Sequence, residues 1–127
     1  VTDMTSMFFR AYSFNQPLND WDVSNVTNMT IMFEQASLFN EDISSWDVSN
    51  VTYMSGMFKS ASSFNQPIGE WDVSNVTRMN SMFEYSNGFN QDISNWNVVN
   101  VLECTSFAFS SYLDTIYWPN FTNCDPN

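Results

Sequence analysis

Residues 21–33 read WDVSNVTNMTIMF, and the chain repeats this stretch at 46–58 as WDVSNVTYMSGMF and at 71–83 as WDVSNVTRMNSMF. The same positions return in a looser form at 96–108, WNVVNVLECTSFA, so the four opening tryptophans are 25 residues apart. A fixed period of this size is typical of proteins that stack one repeat on the next, because each repeat buries its apolar face only against its neighbours. The sequence therefore predicts a stack of coils in register.

The apolar residues outside this stretch keep the same period. A phenylalanine followed by an asparagine recurs in every unit, and all eight methionines fall on two positions of the repeat. These residues are Phe14, Phe39, Phe64 and Phe89, then Met4, Met29, Met54 and Met79, and finally Met7, Met32, Met57 and Met82. Such stripes are far more often core than cofactor site. We expect them, together with inward-pointing tryptophans, to form stacked ladders inside the molecule.

Within one unit, the spacing predicts one strand and one helix. Trp21 and Val23 are placed as inward residues of a short strand, with Asp22 between them pointing outward. In residues 29–36 the apolar side chains recur at i, i+3, i+4 and i+7, as on one face of a helix. The expected fold is an α/β solenoid: a leucine-rich-repeat-like, right-handed coil with one short parallel strand and one short helix per 25-residue repeat.

The repeat divides the chain into two predicted parts. Residues 1–103 hold four-plus repeats of 25 residues, and residues 104–127 form a degenerate repeat that we expect to cap the stack. Val1 lies inside a repeat, so we expect further repeats before it. Cys104 and Cys124 are the only cysteines. We expect them to form a disulfide, which would stabilise this end by about 3 kcal/mol and imply an oxidising compartment; two buried thiols are the alternative.

Composition disfavours several functions. The 127 residues carry 14 acids against three bases and no histidine, for a formal charge of −11. Nucleic acid is not an expected partner, because binding phosphates needs a basic surface. No run of about 18 apolar residues is present, so we expect no membrane insertion by this segment. Repeated acids on an open surface lack a pocket that would separate their pKa values, so we do not expect an enzyme.

The string WDVSNVT, followed by M-x-x-MF and then by an FN step, resembles the BspA-like leucine-rich repeat surface proteins. That family is also described as a domain of unknown function first noted in mycoplasma. The resemblance covers about residues 1 to 100 and implies an extracellular or cell-surface location, with adhesion or partner binding as the role. It supplies no catalytic residues. We therefore expect a secreted or cell-surface module that binds a protein or a cell-surface glycan through an extended face. A structural spacer or stalk without a specific ligand, with or without bound calcium, is the alternative.

An acidic row on the predicted strand face is the first candidate for partner binding. It consists of Asp20, Asp22, Asp47, Glu70, Asp72 and Asn97. Like charges at the spacing of neighbouring coils repel, so something should offset the repulsion. Either each aspartate accepts hydrogen bonds from the serine and amides that follow it, as in an Asx turn, or Asp22, Asp47 and Asp72 hold calcium beside the serines. Calcium is the only cofactor that the sequence suggests.

The predicted helix side offers an alternative partner face. Tyr53, Tyr85 and Ile31 are placed there as exposed apolar residues. Large exposed aromatic and aliphatic side chains are typical anchors for a protein partner.

Overall fold

The computed structural model describes residues 1–127, which wind into five stacked coils. We define coil 1 as residues 1–25, coil 2 as 26–50, coil 3 as 51–75, coil 4 as 76–100 and coil 5 as 101–127. One parallel bridge joins each pair of neighbouring coils, between residues 25 apart: Asp3 with Asn28, Asn28 with Tyr53, Tyr53 with Arg78, and Arg78 with Glu103. The coils therefore lie parallel and in register, as the period of the sequence predicted.

The predicted α/β solenoid with one strand and one helix per repeat is wrong. The only helix is a single 3-10 turn, Thr115–Tyr117, and the only β-structure is the set of isolated bridges. The molecule is therefore not a leucine-rich repeat, although its coils stack with the predicted period.

Successive tight turns replace the predicted helix. In coil 2, i→i+3 hydrogen bonds close three turns between Met29 and Ala36. These turns bring an apolar side chain inward every three or four residues, which is why the sequence imitates the spacing of a helix. Ile31 and Gln35 have φ of 49° and 60°. A right-handed helix cannot continue through residues in this left-handed region.

Two tight turns also replace the predicted strand. The carbonyl of Leu18 accepts a hydrogen bond from the amide of Trp21 at 3.0 Å, and the carbonyl of Val23 accepts one from Val26 at 2.9 Å. The chain therefore changes direction where an extended segment was expected, although Val23 still points into the core.

Backbone hydrogen bonds at alternate residues join the coils. Between coils 2 and 3, alternate amides of residues 29–35 donate to carbonyls of residues 53–59, each at 2.9 Å. The same pattern recurs at every junction, from 4–10 to 28–34, from 54–60 to 78–84 and from 79–85 to 103–109. Along this segment, each coil thus presents carbonyls to the preceding coil and amides to the following one. Polar backbone groups that a helix would pair internally are satisfied between coils instead.

The core lies along the axis of the stack and contains 34 buried residues. The ring centroids of Phe33 and Phe58 are 5.7 Å apart, and those of Phe58 and Phe83 are 5.6 Å apart. The tryptophans of coils 2 to 4 are each 4% exposed, whereas Trp21 of coil 1 is 39% exposed. The predicted core ladders and the inward tryptophans are confirmed for coils 2 to 4, whereas in coil 1 Met7 is 45% exposed and Phe14 is half-buried.

Coil 5 is held by the Cys104–Cys124 disulfide, which confirms the predicted pairing and rules out two free thiols. The ring of Phe107 meets those of Trp118 and Phe121 edge to face, at centroid distances of 5.8 and 4.9 Å. Residues 118–127, which we call the tail, thereby fold back over the last regular turns.

Candidate binding surfaces

Asp22, Asp47 and Asp72 stand at the same position of coils 1, 2 and 3, and all three are exposed. We call them the aspartate row; Asn97 occupies the same position in coil 4. In every case, Oδ1 accepts the backbone amide of the serine two residues later at 3.0 Å and its hydroxyl at 2.6 Å. The expected Asx turn is confirmed.

Each carboxylate of the row keeps one oxygen free. Both serine donors bond to Oδ1, while Oδ2 accepts no hydrogen bond in the protein. The serine hydroxyl and then the serine amide lower the pKa of Asp22, Asp47 and Asp72, because both stabilise the ionised form. The two like-charged neighbours of Asp47 oppose this, and their effect on its pKa is smaller. The row is thus ionised at neutral pH, with one oxygen per coil available to a partner.

The remaining predicted acids do not extend the row. Asp20 and Glu70 are exposed at one position of coils 1 and 3, and Ser45 stands between them in coil 2. Asn97 continues the row without charge, since its Oδ1 accepts the amide of Val99 at 3.2 Å. The structure thus brings four of the six predicted residues into one register and separates the other two.

A calcium site needs several oxygen ligands close together. A protein-bound calcium ion takes about six to eight oxygens. No group of three or more acidic, cysteine or histidine side chains comes close enough to hold a metal ion. Calcium binding by Asp22, Asp47 and Asp72 stays a prediction that only titration can test.

The predicted alternative face is spread over three coils. Tyr53 and Tyr85 are 38% and 45% exposed, whereas Ile31 is half-buried. They occupy three different positions of the repeat, so they do not form a row. The Arg78 guanidinium lies 5.2 Å from the ring centroid of Tyr53.

Sequence reasoning missed an aromatic pair that joins coils 4 and 5. The ring of Tyr85 meets that of Phe109 edge to face at 5.9 Å, and Phe109 is 55% exposed. Tyr112, three residues further on, is 75% exposed. The pair could have been found by aligning coil 5 with coil 4. In that alignment, Phe109 and Tyr112 replace the polar residues Glu84 and Asn87.

Acidic residues outnumber basic residues by 14 to three. Lys59 bonds to Glu84 at 2.9 Å, and Arg78 to Glu103 at 3.2 Å, so 12 of the 14 acids have no basic partner. The third base, Arg10, lies over the ring of Phe9 at 5.0 Å. The electrostatic field of a protein with a large net negative charge attracts cationic partners and repels anionic ones. No helix here has the length and apolar character needed to cross a membrane.

The repeats decide the family. The family model described as "Mycoplasma protein of unknown function, DUF285" matches residues 2–113. The chain belongs to this family. The match spans coils 1 to 4 and the regular part of coil 5, and it leaves the tail outside. No curated protein and no solved structure matches the chain.

Proposed function

We propose that this chain is a binding module of a secreted or cell-surface protein, and that it holds a positively charged protein partner through the aspartate row. The observation that carries the proposal is the repetition of one turn in coils 1 to 3, with the same carboxylate oxygen free each time. Each carboxylate is already fixed by its serine, so it loses little side-chain freedom on binding. Complementary charge then supplies steering and register.

Two observations support an extracellular location. The Cys104–Cys124 disulfide is of a kind that persists in oxidising compartments. The WDVSNVT repeats resemble those of BspA-like surface proteins in motif. The resemblance extends to the repeat motif and to the role that it suggests. It does not extend to the leucine-rich-repeat fold.

We propose no catalytic activity for the row. General acid–base chemistry with two carboxylates needs one pKa raised and the other left low. The pKa values of Asp22, Asp47 and Asp72 are all shifted downward by the same contacts. Three carboxylates that all stay ionised are suited to electrostatic recognition of a partner.

A glycan is the second candidate partner. Sugar sites commonly contain exposed aromatic rings, and the rings of Tyr85 and Phe109, which are 45% and 55% exposed, meet at 5.9 Å. This candidate predicts that Tyr85→Ala removes binding to a glycan array while leaving binding of a lysine peptide unchanged.

The row can be tested with a defined cationic probe. We would immobilise the 127-residue protein and measure binding of a synthetic ten-residue lysine peptide at two salt concentrations. The variant Asp22→Asn/Asp47→Asn/Asp72→Asn should bind about tenfold more weakly than the native protein and show a smaller salt dependence. Asparagine keeps the turn, as Asn97 shows.

The control removes three charges elsewhere, by Glu34→Gln, Glu41→Gln and Asp42→Asn. It should bind within about twofold of the native protein, because these acids lie at other positions of the repeat. Equal losses in both variants would show non-specific attraction and contradict a role for the row. No binding by the native protein would favour a spacer or stalk.

A further inference from the structure

Five tripeptides of the chain have the form Asn-x-Thr, the pattern that accepts N-linked glycans in secreted proteins. They begin at Asn25, Asn28, Asn50, Asn75 and Asn120. The pattern alone is weak, because the tripeptide must also be accessible to the glycosylating enzyme. The structure separates the five into two kinds, since four lie in the coils and one lies in the tail.

The four tripeptides of the coils are built into the stack. Their middle residues are all 0% exposed: Val26, Met29, Val51 and Val76. In three of them the threonine hydroxyl donates to a carbonyl of the preceding coil, at 3.1 to 3.3 Å; these are Thr27, Thr52 and Thr77. An enzyme cannot draw such a tripeptide out of the molecule without opening its core.

Asparagine side chains of the coils are engaged as well. Asn50 and Asn75 donate from Nδ2 to carbonyls of the preceding coil, each at 2.7 Å. Nδ2 is the atom to which the sugar is attached, so a glycan would disturb this bond between coils. The Oδ1 atom of Asn28 accepts the amide of Thr30 at 3.0 Å, and its backbone is bridged to both neighbouring coils.

The tripeptide of the tail is free at both side chains that the enzyme needs. Asn120 and Thr122 are exposed, and neither side chain makes a hydrogen bond in the protein. The only backbone hydrogen bond of this tripeptide runs from the amide of Phe121 to the carbonyl of Pro119 at 3.2 Å. The half-buried ring of Phe121, 4.9 Å from that of Phe107, is its one anchor to the core. Segments with so few contacts open locally at low cost in free energy, so this tripeptide can reach an enzyme while the coils stay folded.

The disulfide of the tail points to the compartment in which glycans are attached. Cys124 follows Thr122 by two residues and is bonded to Cys104. Disulfides persist in oxidising compartments, which secreted proteins pass through, and N-linked glycans belong to surface loops of secreted proteins. The disulfide and the free tripeptide therefore suit the same route.

We propose that Asn120 is an acceptor site for an N-linked oligosaccharide and that the tripeptides of the coils are not. In the transfer, the side-chain nitrogen of Asn120 forms a bond to the anomeric carbon of an oligosaccharide carried on a lipid diphosphate. The bond between that carbon and the diphosphate oxygen breaks, the lipid diphosphate leaves, and the nitrogen loses one proton. The inference rests on the proposed extracellular location and does not depend on the aspartate row.

Glycan transfer to the purified, oxidised protein tests the selection among the tripeptides. The reagents are a single-subunit oligosaccharyltransferase and a lipid-linked oligosaccharide, and peptide mass mapping gives the occupancy of each asparagine. Asn120 should be modified at least about tenfold faster than Asn50 or Asn75, because only the latter two require the stack to open.

A digest of the same protein is the matched control. Cleavage after glutamate gives the peptides 42–70, 71–84 and 104–127, and each holds one of these three asparagines. When the digest is offered to the enzyme, the three rates should lie within about threefold of one another, because no stack remains to protect any site.

Two variants separate recognition of the tripeptide from damage to the fold. Thr122→Ala should lose the modification at Asn120, whereas Thr122→Ser should retain it. Both should stay folded, since the Thr122 side chain is exposed and makes no hydrogen bond. An intact native protein left unmodified at Asn120 would overturn the proposal, and so would equal rates at Asn120 and Asn50.

Mass mapping of the protein recovered from its source cells separates this inference from the proposed location. A glycan on Asn120 would support both. Surface protein with an unmodified Asn120 would overturn the inference alone. Protein retained inside the cell without a glycan would overturn the proposed location and the inference with it.

Discussion

The indole Nε1 of Trp71 donates a hydrogen bond at 3.2 Å to the carbonyl of Ile43, which lies in the preceding coil. The same bond joins Trp46 to Leu18 and Trp96 to Ile68. The tryptophan that marks each repeat in the sequence therefore ties its coil to the previous one from inside the core. Trp21 makes no such bond and is partly exposed.

This difference predicts unequal effects of one substitution. Trp71→Phe should lower the free energy of unfolding by about 1–2 kcal/mol, because it removes a buried hydrogen bond between coils and leaves a small void. Trp21→Phe is the matched control and should cost less, since Trp21 is 39% exposed and its indole donates no hydrogen bond to another coil. Urea denaturation measures both values. Equal losses would mean that the indole bond does not stabilise the stack.

Ile31 and Gly56 stand at the same position of neighbouring coils, where φ is positive. We expect the effects of substituting them on stability to be coupled. Their φ values are 49° and 63°, and a Cβ built on Gly56 would lie 2.8 Å from Cγ2 of Ile31. Gly56→Ala should therefore cost about 1–2 kcal/mol through backbone strain and crowding. In an Ile31→Gly background the cost should fall by about 0.5 kcal/mol or more, because the crowding disappears while the strain remains. A double-mutant cycle by urea denaturation gives the coupling, and a value of zero would contradict the contact.

The period was visible in the sequence because tryptophan, valine, methionine and phenylalanine each return at one position of the repeat. The turns were not visible. Met29, Met32, Phe33 and Ala36 have the spacing of a helix, since i→i+3 turns return side chains inward about as often as a helix does. Nine of the ten residues with positive φ are not glycine, so the usual sign of left-handed backbone was missing.

The candidate site was predicted in part for a comparable reason. Asp22 is followed two residues later by Ser24, and that local spacing is enough to predict an Asx turn. The separation of Asp20 from Glu70 could be read from the 25-residue register, because Ser45 stands between them. The free Oδ2 could not be predicted from the sequence, because the sequence does not show that both serine donors bond to the same carboxylate oxygen.

Acid should destabilise the protein through its aspartates. Serine, threonine or asparagine donors lower the pKa of seven of them: Asp3, Asp22, Asp42, Asp47, Asp72, Asp92 and Asp125. A folded-state pKa below the unfolded value of about 3.9 contributes stability above that pH. This contribution is lost as the pH falls through the folded-state value.

The free energy of unfolding should therefore change little between about pH 7 and 5 and fall below about pH 4. Ser24→Ala/Ser49→Ala/Ser74→Ala should show a shallower fall, because the hydroxyl donors of the row are gone. Ser13→Ala/Ser45→Ala/Ser63→Ala, whose hydroxyls bond to no carboxylate, should follow the native curve. Urea titrations at several pH values measure these slopes. If both triple variants gave the same slope, the serine contacts would not be the cause.

Removing the exposed side chain of Asn75 should destabilise the protein. Its Nδ2 donates to the carbonyl of Ser49 in the preceding coil at 2.7 Å, whereas Asn25, at the same position of coil 1, has no such partner. Asn75→Ala should lower the free energy of unfolding by about 0.5–1.5 kcal/mol, and Asn25→Ala should change it by less than about 0.5 kcal/mol. Thermal denaturation of both variants provides the comparison, and an equal or larger loss at Asn25 would show that the bond from Asn75 to Ser49 does not stabilise the stack.

In-register stacking without helices or extended strands is best tested by solution NMR of residues 29–36 and 53–59. We expect Cα chemical shifts without a helical run over 29–36. The amides of Met29, Ile31 and Phe33 should exchange slowly, since each is bonded to the next coil. Cross-peaks should link backbone protons near Phe33 with those near Met57. A continuous helical shift pattern over 29–36, or the absence of cross-peaks between these two segments, would contradict the account.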